Sequence, residues 1–379
     1  MKKTLVFFLL FALLLPLFVL GTAGAETPFD LACASAVLME ASTGKIIYEK
    51  NADEALPPAS VTKVMTLLLT MEAVTSGKIG WSDTVSVSEH AASMGGSQIY
   101  LKAGEQMPVS DLVKSVVIAS ANDAAVALAE HISGSEETFV AEMNARAAAL
   151  SLTGTHFENT NGLDDTVENH VMSARDIAVI SRELIKHPEI LRFSSTWMDT
   201  VRDGAFTLTN TNRLVRFYPG ATGLKTGSTA KAGFCVSATA ERDGVSLIAV
   251  IMGAESRDAR NAAAKKLLDY GFAAFGVYRD EGRVLDPIPV LGGMKETASL
   301  TAAPFAVTLP KEKISSVECR IELPELLTAP LDVGTPVGRI VYTLDGQTLG
   351  EAPITLSDPV ERISFFEILR RLIGAFSFS

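Results

Sequence analysis

Pro57-Pro-Ala-Ser60-Val-Thr-Lys63-Val-Met-Thr-Leu-Leu-Leu-Thr-Met-Glu-Ala-Val-Thr-Ser76-Gly77 is the stretch on which the reading of this chain turns. Val64, Met65, Leu67, Leu68, Leu69, Met71 and Val74 are apolar, and no Gly or Pro interrupts 61–76, so the segment predicts a buried helix closed by Gly77. On a helix, positions i and i+3 share a face, which sets the Lys63 amine beside the Ser60 hydroxyl. A desolvated amine sheds its proton more easily, and can then take one from a hydroxyl that is otherwise a poor nucleophile. Alone the pattern is weak, because Ser228-Thr-Ala-Lys231 matches it as well. That second match is expected in a strand, where i and i+3 project to opposite faces, and is set aside.

Two more short motifs follow in order. Ser120-Ala-Asn122 separates the apolar runs 112–118 and 124–132, so a turn between two helices is predicted; an ordinary helix-capping turn has the same composition. Lys225-Thr-Gly227 follows Gly223 and precedes the run 233–240, which alternates like a strand edge. There Lys225 offers a positive anchor, Thr226 a hydroxyl, and Gly227 a strand backbone open to a ligand, although T-G-L-K-T-G equally suits a plain hairpin turn. Together the three motifs supply a nucleophile, a base, a proton relay and an anion anchor, the set a serine acyl-transfer site requires.

An S-x-x-K, S-x-N and K-T-G series is the signature of penicillin-binding proteins and class A β-lactamases. The chain resembles the serine-type D-alanyl-D-alanine carboxypeptidases, the low-molecular-mass penicillin-binding proteins. The likeness rests on Glu40-Ala-Ser-Thr-Gly44, Tyr48-Glu-Lys-Asn51, the block 57–66, Gly95-Gly-Ser97, Ser120-Ala-Asn-Asp-Ala124, Asn161-Gly-Leu163 and the block 223–235. It covers the chain from about Ala34 to Phe275 and continues more loosely to the end.

The resemblance implies roles for individual residues. Ser60 is the acylated nucleophile and Lys63 its base; Ser120 and Asn122 assist proton transfer and hold the substrate amide; Lys225 and Thr226 meet the terminal carboxylate. The backbone N–H groups of Ser60 and Ser228 form the oxyanion hole. Arg260 corresponds to an arginine near the substrate carboxylate, with Arg257 as the alternative. Gly220-Ala-Thr-Gly223 has Thr222 where many relatives have Asp, which bears on local turn geometry. The implied fold class is α+β, an antiparallel sheet flanked by helices, consistent with strands at 235–240 and 246–252 and a helix at 257–275. The implied substrates are peptidoglycan stem peptides ending in D-Ala-D-Ala, with β-lactams as covalent inhibitors and no cofactor.

Other readings stay in view. A class A β-lactamase needs a deacylating carboxylate, and Glu158-Asn-Thr-Asn161 lacks the Glu-x-x-Leu-Asn arrangement of those enzymes. A non-catalytic penicillin-binding wall sensor or scaffold would leave the motifs free to drift, yet all are intact. The histidines, His90, His131, His156, His170 and His187, occur singly without H-E-x-x-H spacing, which argues against a zinc carboxypeptidase. His170 reads as a polar loop residue ahead of a helix starting near Ala174.

Lys2-Lys3, an apolar run 5–20 and Ala23-Gly24-Ala25 form the three regions of a secretory signal, which predicts a mature chain from Glu26 at the outer face of the cytoplasmic membrane; an uncleaved anchor is the alternative. At a formal net charge of −11 the protein is a poor candidate for binding nucleic acid. Cys33, Cys235 and Cys319 allow at most one intramolecular disulfide and read as small buried apolar residues.

The predicted organisation is a signal at 1–25, a catalytic domain at 26–278, a small β-rich domain at 283–358, where short β-branched runs such as 305–309 and 339–344 lie among prolines and glycines, and a tail at 359–379. In the tail, Phe365, Phe366, Ile368, Leu369, Leu372, Ile373 and Phe376 fall on one half of a helical wheel, with Ser364, Glu367, Arg370, Arg371 and Gly374 on the other. This helix is too short and charged to span a bilayer but suits one lying at the membrane surface, its arginines toward anionic headgroups. A helix docked on the β-domain is the alternative.

Overall fold

The computed structural model describes residues 29–376, with side chains to Ile373. The signal expected at 1–25 lies outside the described residues. One five-stranded antiparallel sheet organises the catalytic part, in the order Ile46–Lys50, Ser35–Glu40, Val245–Ala254, Gly233–Arg242 and Ala221–Thr229. Its middle strands are apolar almost throughout because both faces are covered. Leu38 and Leu247 point to one face, where Gly271 of the helix Arg257–Ala274 comes so close that a Cβ there would lie 2.6 Å from Leu247 Cδ1. Ser237 points to the other, where its hydroxyl meets that of Ser181 on the helix Ala174–Leu184 at 2.7 Å. On that second face a helical cluster buries Val64, Met65, Leu67, Leu68 and Met71 with Leu112, Val116, Phe139 and Met143.

The predicted helix after Ser60 is present, with a difference at its start. Ala59–Thr62 form a 3-10 turn and the α-helix runs Lys63–Thr75. Ala59 has φ +48, a left-handed value that an L-residue adopts only under constraint from its surroundings. The second S-x-x-K match is not wholly in a strand: Ser228 and Thr229 end one, and Lys231 lies in the hairpin turn that follows. The expected strands at 235–240 and 246–252 are longer than read, Gly233–Arg242 and Val245–Ala254, because the hairpin between them is tight.

Beyond the helix Arg257–Ala274 the chain is β. A six-stranded sheet closes over Leu300, Ile340, Tyr342, Ile354 and Leu356, with the Phe305 ring stacked on Tyr342 at 4.1 Å. The strand Thr297–Ala302 shows the strict in–out alternation of a sheet with one solvated face. This domain is held to the first by Glu40, wholly buried, whose carboxylate accepts from Ser42, Thr43 and Thr308. Burial alone raises the pKa of such a group, but the Thr43 and Ser42 donors outweigh it and hold Glu40 below the ordinary carboxylate value. Of the cysteines only Cys235 is buried; Cys319 stands exposed on the edge strand Glu318–Glu322 and Cys33 is intermediate, so the expectation of three buried thiols is corrected.

The tail helix spans Phe365–Phe376. Phe365 and Phe366 are 73% and 79% exposed, and Ile368, Leu369, Leu372 and Ile373 are exposed too. The two arginines differ. Both pair with Glu367 of their own helix, but among the described residues only Arg371 also donates to the Met294 carbonyl of the β-domain, at 2.6 Å. Among the described residues no helix is long and apolar enough to cross a membrane.

Candidate active site

The three motifs meet where the 3-10 turn abuts the open edge of the main sheet. Lys225-Thr-Gly227 is not a turn; it lies within the edge strand Ala221–Thr229, paired to Gly233–Arg242 through Lys225↔Ser237 and Gly227↔Cys235. Lys225 and Gly227 therefore share the face toward the helical cluster, and Thr226 points to the other. A Cβ on Gly227 would fall 2.7 Å from Ser60 N and 2.8 Å from Val61 N, so the missing side chain is what lets strand and turn approach. Ser120 occupies the predicted inter-helix turn at φ +63, and Asn122 is the first residue of the helix Asn122–Ser133.

Lys63 is fully buried. Its Nζ lies 2.6 Å from Asn122 Oδ1, 2.7 Å from the Asn161 carbonyl and 3.0 Å from Ser60 Oγ. Asn122 cannot be flipped, because its Nδ2 donates to the Gly95 carbonyl at 2.7 Å. Two of the three neighbours of Nζ are thus obligate acceptors. A neutral amine satisfies both with its two N–H bonds and turns its lone pair on the Ser60 hydroxyl. Burial, then the charge of Lys225, hold the Lys63 pKa well below the usual lysine value, against a smaller opposing effect of Asp123.

Lys225, also fully buried, donates to Ser120 Oγ and to the Thr226 carbonyl, both at 2.8 Å. Burial, with a contribution from Arg260, pushes its pKa down to about 7. Among the described residues neither lysine has a carboxylate within salt-bridge distance. Thr226 Oγ1 donates to Thr211 Oγ1 at 2.8 Å. Arg260 is 3% exposed, and burial and Arg257 lower its pKa to about 10.

Ser60, Ser120, Thr226, Gly227, Ser228 and Arg260 line one cleft of about 400 Å³, with Ser97, Trp197, Thr211, Arg213 and Arg257 among its other walls. Its charged lining is three arginines and no acid, which suits an anionic substrate. A larger cavity of about 1050 Å³ near Arg242, Asp269 and Lys311 has no activated nucleophile and is no rival. Arg257 and Arg260 both reach the cleft, so the choice left open between them is not exclusive. Glu158 does not reach it: its carboxylate accepts from Asn169 N at 2.9 Å.

Sequence reasoning missed several contributors. The Asn161 carbonyl that binds Lys63 is a backbone group, and only the Asn161-Gly-Leu163 block hinted at it. Gly162, at φ +84, has no room for a Cβ against the Ala59 carbonyl. Trp197, Thr211 and Arg213 belong to no motif. His170 lies in a loop ahead of the helix Ala174–Leu184 as expected, and what the sequence did not show is that its ring is buried, 4% exposed, and bonded to Thr62.

A family model described as D-alanyl-D-alanine carboxypeptidase matches residues 22–256, and one described as penicillin-binding protein 5, C-terminal domain, matches residues 278–362. The chain belongs to the D-alanyl-D-alanine carboxypeptidase family. This carboxypeptidase is 43% identical to D-alanyl-D-alanine carboxypeptidase DacF of Bacillus subtilis over 90% of its own length and 89% of that protein's. Penicillin-binding protein 5 from Haemophilus influenzae superposes with a TM-score of 0.78 at 34% identity, covering 89% of this chain and 100% of that one. Penicillin-binding protein D2 from Listeria monocytogenes, solved in its ampicillin-bound form, superposes with a TM-score of 0.60 at 32% identity over 65% of this chain and 100% of its own. The protein is a serine peptidase of the low-molecular-mass penicillin-binding type, with the α+β fold and separate C-terminal β-domain expected from its sequence.

Proposed function

We propose that this carboxypeptidase is exported, removes the terminal D-alanine of peptidoglycan stem peptides through an acyl-Ser60 intermediate, and is acylated at the same residue by penicillins. The observation that carries the mechanism is a buried, counter-ion-free Lys63 amine 3.0 Å from Ser60 Oγ. In this reading the Lys63 lone pair takes the Ser60 proton as Oγ attacks the penultimate D-alanyl carbonyl. The tetrahedral oxyanion rests on the N–H groups of Ser60 and Ser228, at the narrow gap beside Gly227. The proton reaches the departing D-alanine amine through Ser120, which Lys225 holds at 2.8 Å. Asn122, its amide engaged by Lys63 and the Gly95 carbonyl, holds the base and can meet the substrate amide only by giving up one of those bonds, while Thr226 and Arg260 receive the terminal carboxylate with Lys225 buried behind them. Water then attacks the ester, returning Ser60 and releasing the shortened peptide. With a penicillin the same attack opens the β-lactam C–N bond, but the amine stays tethered in the site. The ampicillin-bound relative supports that extension.

The β-lactamase alternative is disfavoured by the engagement of Glu158 with Asn169. We assign residues 1–25 to the signal, 26–278 to the catalytic domain, 283–358 to the β-domain and 359–379 to the tail. The exposed apolar row of the tail supports attachment to the outer face of the cytoplasmic membrane. The test is intact-mass and peptide mapping after incubation with penicillin, beside D-alanine release from a D-Ala-D-Ala peptide. One adduct on Ser60, lost in Ser60→Ala along with D-alanine release, is expected. Labelling that persists in Ser60→Ala sinks the assignment, and penicillin turnover faster than peptide turnover favours the β-lactamase reading.

A further inference from the structure

His170 lies outside the cleft, yet its hydrogen bonds leave its proton only one position. Nδ1 lies 3.0 Å from the backbone N of Glu158, which can only donate, so Nδ1 accepts and carries no proton. Nε2 must then be the N–H, and it points at Thr62 Oγ1, 2.8 Å away. Thr62 Oγ1 in turn donates to the Ala59 carbonyl at 2.8 Å. The imidazole is packed edge-on against Phe157, 5.8 Å between centroids.

The chain of donors ends on the residues flanking the nucleophile. Ala59, held at φ +48, immediately precedes Ser60, and Thr62 immediately precedes Lys63. Glu158 and His170 also bracket the loop carrying Asn161, whose carbonyl takes the second N–H of Lys63. One ring therefore closes that loop and ties it to both sides of Ser60. We propose that His170, as the neutral Nε2–H tautomer, is a positioning residue that sets the Ser60–Lys63 alignment through Thr62 and the Ala59 carbonyl without touching substrate. This rests on the reading of Ser60 and Lys63 as the acylating pair. The ionisable groups around the ring are Glu158, His156, Asp164 and Lys63; burial dominates and pushes its pKa down to about 4, so the required tautomer persists at neutral pH.

Glutamine and asparagine separate the two ring nitrogens. In His170→Gln the amide N–H reaches the place of Nε2 and keeps the donor to Thr62; in His170→Asn the amide oxygen replaces Nδ1 but nothing reaches Thr62. The measurement is the benzylpenicillin acylation rate of the full chain, resolved into non-covalent affinity and the acylation step, with thermal unfolding of each variant. The expected result is His170→Gln within about threefold of wild type, with His170→Asn and Thr62→Val each slowing acylation about 10- to 100-fold at unchanged affinity. The double variant should be no slower than either single one. Thr62→Val, isosteric, carries the test if His170→Asn does not fold. Equal losses in Gln and Asn, additive losses, or a Thr62→Val protein acylated at the wild-type rate overturn the proposal. Failure of wild type to label at Ser60 would instead overturn the reading beneath it.

Discussion

Replacing Gly227 with alanine tests the geometry of the site with one methyl group. The added Cβ would stand 2.7 Å from Ser60 N, roughly 0.7 Å short of the 3.4 Å at which ordinary contact begins, with Val61 N at 2.8 Å and the Pro58 carbonyl at 3.0 Å. All three atoms are backbone, held in a 3-10 turn on one side and opposed by a sheet strand on the other, so no side-chain rotation relieves the clash. The edge strand and the turn must part by about that distance. The methyl group also lies against the N–H proposed to stabilise the oxyanion, and donors of this kind work only when about 2.7–3.1 Å from the oxyanion. Losing one costs about 10²–10³ in rate, or about 2.7–4 kcal/mol in the transition state, whereas overpacking costs about 1–3 kcal/mol of stability. The assay is acylation by a fluorescent penicillin and D-alanine release, with urea unfolding alongside. A folded protein that has lost about two to three orders of magnitude in both reactions is expected. Acylation within threefold of wild type at unchanged stability would refute the argument, because charge would then not develop at this gap.

Lys63→Ala should slow acylation severely with Ser60 still in place, and in wild type acylation should fall as acidification protonates the Lys63 amine; a flat acid limb in stopped-flow acylation would contradict its role as base. The buried Lys225 bears on stability, because its folded value of about 7 lies below the 10.5 of an exposed lysine, so it takes up a proton on unfolding between those limits. Its share of the stability should therefore decline as pH falls from about 10 to about 7, by on the order of 1.4 kcal/mol per pH unit, and level off below; the pH slope of the urea midpoints should be shallower by that share in Lys225→Met, the remainder being that of Lys63. For the tail, the cut belongs after Ser364, since Val360 is buried in the β-domain and Ile363 N donates to the Gly292 carbonyl. Removing 365–379 from a chain starting at Glu26 should abolish co-sedimentation with anionic vesicles and leave peptide hydrolysis unchanged, each apolar side chain being worth up to about 1.5–3 kcal/mol when fully buried. Arg370→Glu should weaken binding to anionic vesicles more than to neutral ones, and equal pelleting of cut and uncut protein would remove the membrane from this account.

What the sequence alone determined was local. The i, i+3 spacing of Ser60 and Lys63 put their side chains together even though a 3-10 turn precedes the helix, because one turn of either kind brings such positions onto one side. Helical period likewise marked the apolar face of the tail, and the apolar runs marked the central strands. The tertiary structure decided what period cannot encode. Lys225-Thr-Gly227 could have been a turn, and sheet pairing made it an edge strand with Gly227 against Ser60 N. The second acceptor of Lys63 is a backbone carbonyl 98 residues away, and Thr62 finds His170 across 108. Arg371, drawn by the wheel on the polar face, donates to the Met294 carbonyl 77 residues back along the chain. Contacts of this range depend on how strands register and helices pack, and the chain carries no local pattern for them. The nucleophile and its base were legible because they are neighbours along the backbone; the groups that tune and hold them were not, because they become neighbours only on folding.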